Sequence, residues 1–169
     1  MVLFAFLLLL GATLLAYFVN RQAAIAMRTG GARLHSLESF HGLFAALSVL
    51  VPVLVGLLLW LVLEGAIVDW FVLRGLPAGT FDGLDSGASQ LIVAEIKSIA
   101  GGRVFGTPEP WKIEAAERLV RYHRIADWLL VALVSVTAAI LLWLARSSVA
   151  EQFRARQSAE RIVLGLMIF

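Results

Sequence analysis

Three long runs without a charged side chain organise this sequence. Residues 2–19 form the first, and eighteen helical residues at about 1.5 Å each reach about 27 Å, close to the thickness of a bilayer's hydrocarbon. No Asp, Glu, Lys or Arg occurs between Glu38 and Glu64, and residues 43–63 are dense in Leu and Val, which makes this the clearest span. Residues 128–145 form the third run, bracketed by Asp127 and Arg146, with Trp128 and Trp143 near its ends where indole rings favour the membrane interface. Apolar residues gathered in blocks, not in short periodic stripes, read as bilayer crossings. The pattern therefore predicts an all-α integral membrane protein with three transmembrane helices. The first run also invites a signal-peptide reading, with Ala24-Ile25-Ala26 as a cleavage-like site. No basic stretch precedes it, however, and it exceeds the usual apolar core of such a peptide, so a retained helix is expected.

Finer features predict how these helices pack. Pro52 lies inside the second span, removes one backbone hydrogen bond and is expected to bend the helix. Ser48, Pro52 and Gly56 recur every fourth residue, and Ala132, Ser135 and Ala139 share one face of the third span. Both sets predict low-relief surfaces for helix–helix contact. Between the second and third spans, Gly75, Pro77 and Gly79, and later Gly101, Gly102 and Gly106, mark turns. Residues 89–100 carry Ile92, Ile96 and Ile99 at helical spacing, with Glu95 and Lys97 off that face. Thr107-Pro108-Glu109 signals a second helix start, and this helix is expected to run into the third span without a break. Along it, Glu114 with Arg118 and Glu117 with Arg121 are spaced for i,i+4 pairs, each contributing about 0.2 to 0.5 kcal/mol.

Loop charges give a direction, because Lys and Arg beside a membrane tend to remain cytoplasmic. The first connection holds Arg21, Arg28 and Arg33 against Glu38, and the tail holds Arg146, Arg154, Arg156 and Arg161 against Glu151 and Glu160. Residues 64–127 carry seven basic and nine acidic side chains, a net of −2. Three crossings then place the N-terminus and residues 64–127 outside, and the first connection and the tail inside. In the tail, Val149 and Phe153 can touch lipid while the arginines meet headgroup phosphates. Residues 162–169 turn apolar again but are far too short to cross. A piece of a longer membrane protein, ending just inside a fourth span, is the expectation. The domain organisation expected is an N-terminal transmembrane module at 1–150, followed by a basic junction at 151–169.

Composition agrees and removes several chemistries. Hydrophobic residues make up 60% of the chain and charged ones 15%, against about half and about a quarter in a soluble domain. Basic residues are scattered and the formal net charge is +2, which argues against nucleic acid. With no cysteine, disulfides, thiolate metal sites and thiol nucleophiles are excluded. His35, His41 and His123 lack partners at metal-ligand spacing and read as interfacial hydrogen-bonding residues. Gly101 and Gly106 have the separation of a phosphate loop, but Thr107 stands where that loop needs lysine. Arg118, Arg121 and Arg124 with His123 could collect an anion, although Glu114 and Glu117 on the same helix favour a solvated helix face. No carboxylate pair or nucleophile elbow supports catalysis, and no cofactor or metal is expected.

The stretch from Arg33 through His35, Ser36, His41 and Gly42 to Leu47, followed by Pro52 and Trp60, resembles the N-terminal extension of bacterial phosphate ABC-transporter permeases of the PstC family. The family pattern there is close to RLHS-x-x-x-[YF]-HG before a proline-containing span, and this chain departs from it at Glu38, where proline is more usual. The tail with Arg154-Ala155-Arg156 and Glu160-Arg161 resembles the junction where the extension enters the permease proper. The resemblance implies an accessory, non-enzymatic module of a phosphate importer in the bacterial inner membrane. It implies as partners the remainder of the permease chain, a second permease subunit, a cytoplasmic ATPase and a periplasmic phosphate-binding protein. Arg33, His35, Ser36, His41 and Gly42 form a motif to which the resemblance assigns no role. The rival reading is a membrane sensor, since an outer segment held between two spans and followed by a basic tail also suits a receptor.

Overall fold

A computed structural model describes residues 1–29, 37–104, 106–147 and 155–168. Among these residues the chain is all helix: α1 Val2–Thr29, α2 Glu38–Arg74, α3 Ser86–Ala100, α4 Pro110–Ser147 and α5 Ala155–Ile168. Three of them, α1, α2 and α4, are long and apolar enough to cross a membrane, as the uncharged runs require. Each outlasts its run. The 37 residues of α2 rise about 55 Å, well beyond the roughly 30 Å of hydrocarbon, because nothing between Glu64 and Arg74 terminates a helix before Gly75 and Pro77 do. Pro52 lies inside α2, which continues through it.

Local signals set the other boundaries. Asp85 caps α3, its carboxylate oxygen accepting the Ala88 N–H at 2.7 Å. At the far end, Gly102 takes a left-handed φ of 77°. The Arg103 N–H then reaches the Ser98 carbonyl, and the Gly102 N–H reaches that of Ile99. This is the Schellman ending, which a side chain at Gly102 would strain. Gly101 and Gly102 therefore stop α3, and α4 begins only at Pro110, where a missing N–H costs nothing. As expected, α4 runs unbroken from this interfacial start through the third uncharged run.

The chain divides into two compact units, Met1–Leu59 with Leu130–Phe169, and Trp60–Leu129. In the first, each spanning helix buries one narrow stripe: Ala5, Leu9, Ala16, Asn20 and Ala24 on α1, Ala45, Val49, Val53 and Leu57 on α2, and Leu130, Val134, Ala138 and Ala145 on α4. Small side chains dominate, which lets helix backbones come close. This corrects the expected packing surfaces. Pro52 is exposed and Ser48 and Gly56 only half-buried, while Ala132 and Ala139 are exposed. Only 17%, 17% and 22% of the most apolar windows of α1, α2 and α4 is buried, so most of each span is left for lipid or another subunit.

In the second unit, α3 lies against the ends of α2 and α4 that rise past the uncharged runs. Its core is Val68 and Val72 from α2, Ile96 from α3, and Ala115, Ala116, Leu119 and Ala126 from α4. Trp60, Leu76, Ile92, Ile99, Trp111 and Tyr122 pack around it. The isoleucine face expected on α3 is the face that points into this core.

Candidate functional site

Two places in the chain gather side chains whose chemistry exceeds simple packing. The first is where α2 starts, at the end of the motif singled out in the sequence. Gly42 is buried, and a Cβ added to it would stand 2.9 Å from the Tyr17 carbonyl oxygen and 2.9 Å from two carbons of the Tyr17 ring. Gly42 thus permits α1 and α2 to touch backbone to side chain, and any larger residue would force them apart. His41 beside it is only 2% exposed. Arg28 and Glu38 close the same end of the hairpin with an ion pair at 3.2 Å. Arg33, His35 and Ser36 lie outside the described residues.

Asn20 was not singled out in the sequence. It is fully buried on α1; its amide nitrogen donates to the Ala16 carbonyl at 3.1 Å, and its amide oxygen has no partner among the described residues. A signal was present, since Asn20 is the first strongly polar residue after the first run and continues the Ala16 to Ala24 spacing. The one side-chain hydrogen bond of Asn20 among the described residues stays within α1.

The second place is the interfacial cluster of α2, α3 and α4, where charges tie the helices pairwise. Lys97 of α3 meets Asp69 of α2 at 2.6 Å. Lys112 of α4 meets Glu95 of α3 at 2.8 Å. His123 of α4 meets Glu64 of α2 at 3.1 Å through Nδ1. Arg118 adds a fourth link, donating to the Gly75 carbonyl at 2.6 Å while pairing with Glu114. Glu95 and Lys97, which the helical pattern places simply off the apolar face, are thus cross-helix anchors. Sequence spacing finds i,i+4 pairs such as Glu114–Arg118, but partners on separate helices leave no periodic trace. The second expected pair, Glu117 with Arg121, does not form among the described residues.

The basic group of α4 is accordingly split. Arg118 and His123 are held by partners, while Arg121 and Arg124 stay exposed and unpaired among the described residues. Among the described residues no group of His, Asp and Glu is placed to hold a metal ion.

Beside the core of this unit, on the side away from α3, lies a cavity of about 250 Å³. Trp60, Glu64, Ile67 and Phe71 of α2 face Tyr122, Ile125 and Leu129 of α4 across it. Apart from Glu64, whose carboxylate pairs with His123, and the polar tips of Trp60 and Tyr122, its walls are hydrocarbon.

The arrangement so far is a set of spans with an interfacial helical cluster, and comparison with known families decides which protein class it serves. A family described as phosphate ATP-binding cassette transporter matches residues 5–169. This chain belongs to that family. No curated protein and no solved structure gives a match. The transporter-family match covers both ends of the chain, including the motif ending in His41 and Gly42 and the segment 155–168 that forms α5. The chain is therefore a membrane component of a phosphate transporter family, with three helices able to span the bilayer.

Proposed function

We propose that the chain is an accessory N-terminal membrane module of a phosphate-import permease, serving assembly or positioning of the complex without a catalytic step of its own. The observation that carries this reading is the interfacial cluster. Its polar side chains are engaged chiefly in joining α2, α3 and α4 to one another, an arrangement suited to holding a shape, not to moving protons or substrate. The large uncovered fraction of each span supports a role beside other membrane helices.

In this reading residues 1–150 form the module and 151–169 the junction to the permease proper. Its partners are the rest of the permease chain, a second permease subunit, a cytoplasmic ATPase that hydrolyses ATP, and a periplasmic phosphate-binding protein. On the same reading the chain lies in the bacterial inner membrane with the N-terminus and residues 64–127 in the periplasm and the tail in the cytoplasm, an orientation that the loop charges support. Removing residues 1–150 from the full-length permease tests the proposal. Lower phosphate uptake or lower recovery of the assembled complex is expected, and unchanged values for both refute it.

A further inference from the structure

The chain has four aspartates, and three of them are restrained by the fold. Asp69 and Asp127 lie inside α2 and α4, each followed by a tryptophan whose N–H belongs to the helix ladder. Asp69 is also held by Lys97 at 2.6 Å. Asp85 caps α3, its carboxylate committed to the Ala88 N–H at 2.7 Å. Asp82 has none of these restraints. It is exposed in the turn before α3, its carboxylate has no hydrogen-bond or ion-pair partner among the described residues, and the residue that follows it is Gly83.

The turn leaves the next backbone nitrogen equally free. The Leu84 N–H donates to the Phe81 carbonyl at 3.2 Å, which closes a turn around the Asp82–Gly83 link. Gly83 takes a φ of 74°, the left-handed value that the third residue of a type II turn requires and that glycine adopts without strain. The N–H of that third residue lies outside the closing bond, and the Gly83 N–H pairs with nothing among the described residues. Gly83 is exposed and has no Cβ to crowd an approach of its nitrogen to the Asp82 carboxyl carbon. On the other side, a Cβ at Gly79 would stand 3.3 Å from Asp82 Oδ2, and its absence gives the carboxylate room to rotate.

We infer that the Asp82–Gly83 link is a site of spontaneous aspartate isomerisation. The Gly83 nitrogen bonds to Cγ of the protonated Asp82 carboxyl, and its proton leaves with the carboxyl hydroxyl as one water, giving a cyclic imide. Water then adds back to one of the two ring carbonyls. Breaking the bond from nitrogen to Cγ restores aspartate. Breaking the bond from nitrogen to the main-chain carbonyl carbon leaves isoaspartate, with the chain running through Cγ and a free α-carboxylate. One water departs and one returns, so the reaction draws on no oxidant, cofactor or enzyme. The product carries one more main-chain carbon between Phe81 and Leu84, which opens the turn that leads into the Asp85 cap of α3.

The test holds the full-length protein, purified in detergent, for days at neutral pH in heavy-oxygen water, then maps its peptides in ordinary water by mass spectrometry with electron-transfer fragmentation. Each ring opening leaves a heavy oxygen on residue 82 whichever bond breaks, and the fragmentation separates isoaspartate from aspartate. Both signals should accumulate at Asp82 and stay absent from Asp69, Asp85 and Asp127. Asp82→Glu, which could close only a larger and less favoured ring, should lose both while circular dichroism shows helicity unchanged. The parent protein decides the matter even where that variant misfolds. Absence of label and isoaspartate at residue 82 overturns the inference, as does equal labelling of Asp82 and Asp85 in the folded protein, which would deny the turn any part in it.

Discussion

The Cβ that Gly42 lacks would sit 2.9 Å from the carbonyl oxygen of Tyr17. Backbone cannot yield as a long side chain can, so Gly42→Ala has to push α1 and α2 apart. A cost of about 1 to 3 kcal/mol is expected, typical of overpacking, even though alanine is intrinsically the better helix former. Gly56→Ala is the control. Nothing lies within 4 Å of its Cβ position, so helix propensity alone should make that change neutral or stabilising. Thermal unfolding in detergent, followed by circular dichroism, should lower the midpoint for the first variant and not for the second.

Ile96 is 2% exposed and is the fully buried contribution of α3 to the interfacial core. Ile96→Ala should cost about 2 to 5 kcal/mol of that unit's stability. Hydrogen exchange should report this locally, with amides of α3 losing protection while those of residues 128–145 keep theirs.

Ala138 and Ala139 are neighbours in sequence with opposite surroundings, the first 3% exposed and the second on the outer face of α4. Ala138→Leu should therefore destabilise the chain by about 1 to 3 kcal/mol. Ala139→Leu should stay within about 0.5 kcal/mol of the parent. Urea or thermal unfolding in detergent separates the two, and equal effects would reject the burial pattern.

Because the chain has no cysteine, single cysteines report sidedness without background. Asp82→Cys, in the turn before α3, should react with a membrane-impermeant maleimide added to intact cells whose outer membrane has been permeabilised. Ser147→Cys, at the end of α4, should react only after the inner membrane is opened. The reverse pattern would invert the orientation that the arginines imply.

The spans were legible because a bilayer imposes a length on apolar runs that few other constraints imitate. The α3 face was legible for a similar reason, since Ile92, Ile96 and Ile99 report a half-covered helix through their spacing alone. Which stripe of each span turns inward was not. In a water-soluble helix polarity marks the outer face, but here both faces are apolar, and Ser48, Pro52 and Gly56 looked as suitable for contact as Ala45, Val49 and Val53. The motif was visible as a set of residues, yet the reason for Gly42 emerged only when Tyr17, twenty-five positions earlier, came to rest against it. Ion pairs between helices were hidden for the same reason: Asp69 and Lys97 share no period.

Three cross-helix polar ties, two ion pairs and the Glu64–His123 contact, form a triangle, with α2 joined to α3, α3 to α4, and α4 back to α2. A triangle stays connected when any one edge is cut. Substitutions at its charged corners can thus accumulate singly, each absorbed by the two remaining ties, whereas the apolar centre at Ile96 and Leu119 has no such spare. Divergence at this end of the molecule should accordingly rewrite the polar perimeter first and leave the interior alone.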